Sequence, residues 1–382
     1  MDMTQEDNFD DIRPYRDEEV KQVLHRLGKS DQLMSSIRTV FLPKIPKFLG
    51  PLADKAVRFY LHKKLQNMNT VDQFQKKVSI DTLLHPIVKK SISGLSYRGL
   101  ENLERDKAYV FITNHRDIVL DPALLNYILI KNGFSFAQIA IGDNLLINQV
   151  VADIIRLNRA FIVKRDLPFR QQFEESLRLS KYIQHVLEEG ESLWLAQKAG
   201  RSKDGIDITN PAVLKMLHFS KRREKVPFKE FANSINIVPV SISYEYDPCD
   251  RIKAWEVYRK RTHGVHNKRK YEDLISILAG LKGFKGRVHY RFNEPIRGEF
   301  KDEKSLAKEI DKKIQSGYNL WATNFIAYDE VHNTDLFEQS YSQFEKQRFF
   351  LRFRRLSDEV REVLLESYAN PVINKMSTNT KV

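Results

Sequence analysis

The spacing of hydrophobic positions changes near residue 95 and divides the sequence into two kinds of region. Between residues 18 and 95, apolar side chains such as Phe48, Phe59 and Tyr60 alternate with lysines and arginines, a pattern typical of amphipathic helices. Beyond that point, short apolar runs alternate with helical stretches. We predict strands at residues 108–113, 136–141, 160–163, 192–197, 237–246 and 288–292.

Helical patterns separate these predicted strands. Asp121 followed by Pro122 is typical of a helix N-terminus, with Asp121 as its cap, and this helix is expected to reach residue 131. A second helix is predicted over residues 173–187, and Gly190 marks its end. The alternation predicts an α/β fold in which a mostly parallel sheet is flanked by helices. Helical extensions are expected before and after this core.

The sequence predicts five consecutive regions. A loose acidic tail is followed by a helical N-terminal region, an α/β domain, a helical C-terminal region and a second loose tail. Their predicted bounds are 1–20, 21–95, 96–300, 301–370 and 371–382.

The net charge of the chain indicates which class of molecule it binds. A formal net charge of +13 implies an anionic partner, but no helix-turn-helix, RNP strand or zinc-finger spacing is present, so nucleic acid is not expected. Several basic clusters lie beside aromatic residues, which favours an anionic membrane surface. These clusters are residues 221–225, 259–261, 268–270 and 348–355.

The sequence also favours one cellular location. Apolar runs are shorter than a membrane span needs, and the first residues are acidic, unlike a signal peptide. Cys249 is the single cysteine, which fits a reducing compartment. We therefore expect a cytoplasmic protein that is peripheral on the cytoplasmic face of a membrane.

The segment 111–124, FITNHRDIVLDPAL, places a histidine at the end of a predicted strand. His115 is followed by Asp117 and Asp121, and either carboxylate could fix the imidazole tautomer and stabilise an imidazolium. Such a pair can deprotonate an alcohol. Taken alone, the pattern also fits a turn histidine beside a helix-capping aspartate.

Further blocks follow this segment in a fixed order. Residues 160–165 (AFIVKR) form an apolar run that ends in basic residues, Ala199-Gly200-Arg201-Ser202 is a third block, and IVPV at 237–240 is a fourth. RGLENL at 98–103 precedes the set, and NEPI at 293–296 follows it. This order resembles the glycerol-3-phosphate and lysophosphatidate acyltransferase superfamily, whose first block is Asn-His, four residues, then Asp.

The resemblance implies a phospholipid-biosynthetic acyltransferase that needs no cofactor. His115 would be the general base on a hydroxyl of glycerol 3-phosphate or a lysophosphatidate-type acceptor, and the donor would be acyl-CoA or acyl-carrier protein. Asp121 is favoured over Asp117 as the partner of His115, because it matches the helix start that follows the family motif. The residues implied in phosphate binding are Lys164, Arg165, Gly200, Arg201 and Ser202.

Two departures from the family pattern support an alternative function. Five residues separate His115 from Asp121 where the family has four, and the third block lacks the glutamate that the family carries. The alternative is a non-catalytic lipid-binding or membrane-organising protein on the same fold. No metal site is expected, because His263 and His266 have no second ligand pair nearby.

Overall fold

The computed structural model describes residues 8–41, 45–165, 167–265 and 271–379. The strands are β1 (Ile92–Arg98), β2 (Val110–Thr113), β3 (Gln138–Gly142), β4 (Ala160–Val163), β5 (Leu193–Ala196), β6 (Ile237–Tyr244) and β7 (Gly286–Phe292). The chain divides into two compact units. Unit 1 comprises Met1–Pro86 and Gln138–Glu175, and unit 2 comprises Ile87–Ala137 and Ser176–Val382.

Helices make up most of the remaining described chain. The first eight are α1 (Asp17–Lys29), α2 (Asp31–Phe41), α3 (Gly50–Leu65), α4 (Val71–Phe74), α5 (His85–Ser91), α6 (Leu120–Lys131), α7 (Gln149–Leu157) and α8 (Phe169–Glu188). The others are α9 (Pro211–Arg223), α10 (Phe228–Ser234), α11 (Asp250–His263), α12 (Glu272–Lys282), α13 (Glu303–Gly317), α14 (Ala322–His332), α15 (Gln343–Phe350) and α16 (Asp358–Asn379). A π-helical segment, Gln75–Leu84, joins α4 to α5. Among the described helices, none combines the length and the apolar character that crossing a membrane requires.

Unit 2 is built on five strands in the order β1-β7-β6-β2-β5. β2 pairs in parallel with both β5 and β6, β1 pairs in parallel with β7, and the β6–β7 pair is antiparallel. All four residues of β2 are buried and mostly apolar, as expected for a central strand covered on both faces. The predicted mostly parallel sheet flanked by helices is confirmed.

The register within unit 2 aligns the carboxyl ends of two strands. Thr113, the last residue of β2, lies opposite Ala196 at the end of β5 and opposite Val240 of β6. The chain that leaves β2 therefore starts level with the chain that leaves β5. In open α/β sheets, ligand sites form beyond this edge.

The C-terminal helices of unit 2 share one apolar core. Side chains of α14, α15 and α16, including Ile326, Phe349 and Leu364, pack beside Tyr246, which follows β6. Hydrophobic burial of this size anchors these helices to the end of the central strands.

Unit 1 has its own apolar core. Val20, Val23, Leu24 and Leu27 lie on one face of α1, as their helical spacing predicts, and they pack with side chains of α3, α4 and α7. In the same unit, β3 and β4 pair in parallel, with Ile139 opposite Ala160.

The structure differs from the sequence prediction at β1. The sequence pattern predicts that residues 92–95 continue a helix, but Ile92–Arg98 is a strand that pairs with β7. Most of β1 is exposed, so its sequence carries little of the alternation that marks a half-buried strand. Pairing with β7, almost 200 residues later in the chain, determines its conformation.

The two predicted loose tails are also wrong over most of their described residues. At the N-terminal side, Ile12 is buried, its carbonyl accepts a hydrogen bond from the Ile162 amide, and α1 begins at Asp17. At the C-terminal side, α16 continues through Pro371 to residue 379, because Val372 is buried in unit 2. Residues 1–7 and 380–382 lie outside the described residues.

Candidate active site

Asn114 fixes the loop that leaves β2. Its side-chain amide donates to the carbonyl of Ile242 at 2.9 Å, and its carbonyl oxygen accepts from the Ile242 amide at 2.7 Å. The side chain thus continues the pairing of β2 with β6 after the backbone of β2 has turned away. The position of the next residue, His115, follows from this anchor.

Asp121 is the carboxylate that contacts His115. Nδ1 of His115 lies 2.9 Å from Oδ2 of Asp121. The same oxygen accepts the backbone N–H groups of Arg116 and Asp117, at 2.6 and 2.9 Å. The other oxygen, Oδ1, accepts the hydroxyl of Tyr244 at 2.9 Å. Four donors therefore orient one fully buried carboxylate.

The two ring nitrogens of His115 differ in their hydrogen bonding to the described residues. An ionised carboxylate can only accept a hydrogen bond, so Nδ1 donates its N–H to Asp121. In the neutral ring Nε2 then carries the lone pair. Within the described part of the chain, Nε2 has no hydrogen-bond partner. The side chain is 12% exposed, and the Trp194 ring of β5 meets it edge to face at 5.5 Å. This arrangement suits a general base.

Asp117 has a different place from Asp121. Its Oδ1 accepts the amides of Val119 and Leu120, at 2.9 and 2.8 Å, so it caps α6. The helix starts at Leu120, and the prediction that Asp121 is its cap is wrong. Because Asp117 takes the capping role, the extra residue in the motif still leaves Asp121 facing His115. Burial and the neighbouring charge of Asp121 raise the pKa of Asp117.

The third sequence block touches the first. The amide of Ser202 donates to the carbonyl of His115 at 2.7 Å. Gly200 has φ of +78°, a left-handed conformation that favours glycine. Arg201 is buried: Nη2 donates to Ser276 Oγ of α12 at 3.1 Å, and Nη1 has no hydrogen-bond partner among the described residues. One guanidinium N–H group is thus left unpaired next to the loop that holds His115.

The second block lies in unit 1, whereas the other predicted site residues lie in unit 2. Lys164 pairs with Asp11 at 2.7 Å and with Glu175 at 2.9 Å, so carboxylates already balance its charge. The backbone amide of Arg165 contacts Asp143 at 3.3 Å.

Several buried charges around the His115 loop were missed by sequence reasoning. Arg116 Nη2 lies 2.6 Å from Oδ2 of Asp207, and both side chains are buried. Burial opposes the charge of Arg116, but Asp207 keeps its pKa above the ordinary value. Lys253 of α11 donates to the carbonyl of Arg116 at 2.7 Å and also pairs with Asp247. No spacing in the sequence indicates the contacts of Arg116, since Asp207 and Lys253 lie 91 and 137 positions away from it.

Within the described residues, no group of three His, Cys, Asp or Glu side chains is placed to hold a metal ion. His263 is exposed at the end of α11, and His266 lies outside the described residues.

Comparison with known proteins concerns the same part of the chain. The sequence model of the family described as Acyltransferase matches residues 94–243, which include the His115 loop and the third block. The glycerol-3-phosphate acyltransferase of Ectopseudomonas mendocina (strain ymp) is 26% identical over 211 residues, and that of Pseudomonas aeruginosa (strain LESB58) is 26% identical over 225 residues. Over these residues the chain is similar to acyltransferases.

The aligned regions cover a larger share of this chain than of its relatives. The aligned regions are 54% and 57% of this chain, but only 23% and 25% of the two relatives. The chain thus spans about a quarter of the length of the curated relatives it matches. A solved structure, the 1-acyl-sn-glycerophosphate (LPA) acyltransferase PlsC from Thermotoga maritima, has a TM-score of 0.35 and 16% identity, over 77% of this chain and 94% of that one.

Proposed function

We propose that this protein transfers a fatty acyl group from acyl-CoA or acyl-carrier protein to a hydroxyl of a phosphorylated glycerol or lysophospholipid, as an enzyme of phospholipid biosynthesis. One observation carries the proposal: His115 has Nδ1 held by Asp121 and Nε2 without a partner among the described residues, inside the segment that matches the acyltransferase family. An oriented neutral imidazole is the base that activation of an alcohol requires.

The proposed reaction needs one proton shuttle and no acyl-enzyme. Nε2 of His115 takes the proton of the acceptor hydroxyl while the oxygen attacks the thioester carbonyl, and Asp121 stabilises the resulting imidazolium. When the tetrahedral intermediate collapses, the C–S bond breaks and the leaving sulfur receives the proton from His115. The products are an ester and a free thiol, and the imidazole is neutral again.

The acceptor phosphate is proposed to bind at the third block. A guanidinium offers two parallel N–H groups to a phosphate, and Nη1 of Arg201 has no hydrogen-bond partner in the described part of the chain. Gly200 allows the tight turn, and Ser202 joins this turn to His115. For Lys164 and Arg165 of unit 1, phosphate binding stays a prediction from the family resemblance, and at Lys164 a phosphate would replace Asp11 or Glu175.

The protein is further proposed to act on the cytoplasmic face of a membrane that contains anionic lipids. Exposed aromatic residues lie among basic ones in α3, where Phe59 and Tyr60 stand beside Arg58. Such a combination favours an anionic lipid surface, because apolar rings enter the headgroup region while cations meet the phosphates.

The alternative is a lipid-binding protein without catalysis. The burial of Arg201 favours it, because a phosphate must reach a side chain that is largely covered. This alternative predicts vesicle binding without acyl transfer to any acceptor.

An acyl-transfer assay tests the proposal. Purified protein is incubated with radiolabelled acyl-CoA or acyl-carrier protein and with glycerol 3-phosphate, lysophosphatidate or unphosphorylated glycerol. We expect transfer to a phosphorylated acceptor, and we expect His115→Ala to lower it by about 10²- to 10⁴-fold, the range typical of a general base. The thermal unfolding midpoint should stay nearly unchanged.

His25→Ala is the matched control, because His25 is exposed on α1 in unit 1. This variant should retain full transfer. Undiminished turnover by His115→Ala would exclude the proposed base, and absence of transfer by the wild type with every donor and acceptor would favour the non-catalytic alternative.

A further inference from the structure

Lys253 is a buried lysine of α11 whose amine contacts the His115 loop. The residue is 2% exposed, its Nζ donates to the backbone carbonyl of Arg116 at 2.7 Å, and the same nitrogen pairs with the carboxylate of Asp247. Burial of an ammonium group is unfavourable unless hydrogen bonds and an opposite charge compensate it. Because the amine is covered and both partners belong to the protein, Lys253 acts on the His115 loop and does not itself contact a substrate.

The carbonyl that Lys253 binds belongs to the same peptide group as the amide of Asp117. That amide donates to Oδ2 of Asp121 at 2.9 Å, and Oδ2 is also the oxygen that contacts Nδ1 of His115. Hydrogen bonds at the two ends of one peptide group strengthen each other, and here the donor to the carbonyl is charged. A continuous chain of hydrogen bonds therefore joins the amine of Lys253 to the imidazole of His115.

The first turn of α11 is fixed to the C-terminal part of unit 2, which holds Lys253 in place. Asp250, the first residue of α11, accepts hydrogen bonds from Arg352 at 2.7 Å and from the hydroxyl of Tyr368 at 2.9 Å. The same hydroxyl accepts the amide of Asp247 at 2.8 Å. All of these residues follow the segment that matches the acyltransferase family, since that match ends at residue 243. This support for the His115 loop therefore comes from outside the matched segment.

We propose that Lys253 is a positioning residue for the proposed general base. By holding the carbonyl of Arg116, its amine keeps the Asp117 amide on Oδ2 of Asp121. Asp121 in turn keeps His115 in the tautomer and orientation that a general base needs. The hydrogen-bond chain exists whether or not the protein is an enzyme, whereas its effect on turnover rests on the proposed function.

Steady-state kinetics of a Lys253→Met variant test this role. Methionine keeps the length and most of the volume of the lysine side chain but has no donor for the carbonyl. We expect kcat to fall about tenfold through loss of one charge-assisted hydrogen bond, while the KM for the acceptor stays within about twofold because the amine does not reach the substrate.

Lys285→Met is the matched control. Lys285 is also fully buried in unit 2, but its amine donates to Ser91 and to the carbonyl of Leu281, which lie outside the hydrogen-bond chain. This variant should keep kcat within about twofold. An equal loss of kcat in both methionine variants would overturn the proposal, because it would trace the effect to any buried lysine.

Two variants at Asp247 separate the hydrogen bond from the balance of buried charge. Asp247→Asn leaves the amine on the Arg116 carbonyl and should retain kcat within about threefold. The double variant Lys253→Met/Asp247→Asn removes both charges, so its free energy of unfolding should exceed that of Lys253→Met, whereas its kcat should stay about tenfold low. Urea unfolding measures the stabilities, and the double variant decides the question if Lys253→Met does not fold. Wild-type kcat in the double variant, unchanged kcat in Lys253→Met, or a raised KM at unchanged kcat would refute the positioning role.

The NMR signal of the Asp117 amide tests the hydrogen-bond chain without any reaction. Selective labelling of arginine carbonyls and aspartate amides restricts the spectrum to Arg-Asp sequences such as this one. Loss of the Lys253 amine should move the Asp117 amide proton upfield, because the peptide group becomes less polarised and its bond to the carboxylate weakens. Lys285→Met should move it less.

This measurement also separates the proposal from the proposed function. If the wild type transfers no acyl group to any acceptor, the proposed function fails, and the position of the amide signal still decides whether Lys253 acts on the peptide. An unmoved Asp117 signal in Lys253→Met would overturn the hydrogen-bond chain, even if transfer occurs.

Discussion

At the scale of single residues, the hydroxyl of Tyr244 completes the hydrogen bonding of the Asp121 carboxylate. Tyr244 belongs to none of the motif blocks found in the sequence. Tyr244 is buried at the end of β6, and the family match ends one residue before it. Its hydroxyl donates to Oδ1, the carboxylate oxygen that His115 does not contact. Tyr290 of β7 donates to the backbone carbonyl of Asp121 instead. Two strands therefore position the residue that orients the proposed base.

Tyr244→Phe is predicted to lower kcat by about 10- to 100-fold, because a hydrogen bond to a charged group contributes roughly 1.5–3 kcal/mol. The KM for the acceptor should change little, since Tyr244 acts through Asp121. Steady-state kinetics would separate the two parameters. Tyr290→Phe is the matched control, because it leaves the carboxylate of Asp121 untouched, and its effect on kcat should be smaller. A raised KM with unchanged kcat would contradict the positioning role.

At the scale of secondary structure elements, the contact between α12 and the His115 loop depends on the absence of a side chain at position 280. Alanine is usually better than glycine inside a helix, by about 1 kcal/mol. At Gly280, however, a Cβ would approach Oδ2 of Asp117 to 2.1 Å. Either the helix or the loop must then move.

Gly280→Ala is therefore predicted to destabilise the protein by about 1–3 kcal/mol, as overpacking does. Gly28, near the C-terminal end of α1, is the control, because a Cβ added there would meet no neighbouring side chain or packed element within 4 Å. Gly28→Ala should instead stabilise by up to about 1 kcal/mol. Urea unfolding of the two variants checks both signs, and stabilisation by Gly280→Ala would show that α12 does not press on Asp117.

At the scale of the whole molecule, one buried lysine links stability to pH. Lys285 is fully buried just before β7, where Nζ donates to Ser91 Oγ at 2.8 Å. Burial lowers its pKa from 10.5 to about 8, although the charge of Asp117 opposes this shift. Between these two pH values the unfolded chain binds more protons than the folded chain. The free energy of unfolding should therefore rise with pH across this window.

Lys285→Met is predicted to remove that rise, which amounts to at most about 3 kcal/mol. The measurement is urea unfolding of wild type and variant at several pH values from 7 to 10.5. Subtracting the two curves cancels groups that titrate in both proteins, such as tyrosines. A difference between the curves that stays constant with pH would contradict the lowered pKa.

The sequence by itself determined the α/β class and the position of most strands. The apolar run at residues 160–163 predicts a strand and forms β4 with the same bounds, because such a run reflects burial of that segment alone. The order of the motif blocks likewise indicated the resemblance to acyltransferases, and the Acyltransferase family model matches residues 94–243. The local residue pattern is sufficient for these features, since each one depends only on residues that are neighbours in the sequence.

Only the tertiary structure decided which groups meet. The sequence left Asp117 and Asp121 as alternatives, and the turn between β2 and α6 places Asp121 against His115 and Asp117 at the helix cap. The contact of Arg116 with Asp207, and that of Tyr244 with Asp121, join residues about a hundred positions apart. Strand register and helix packing set such distances, and no local periodicity records them.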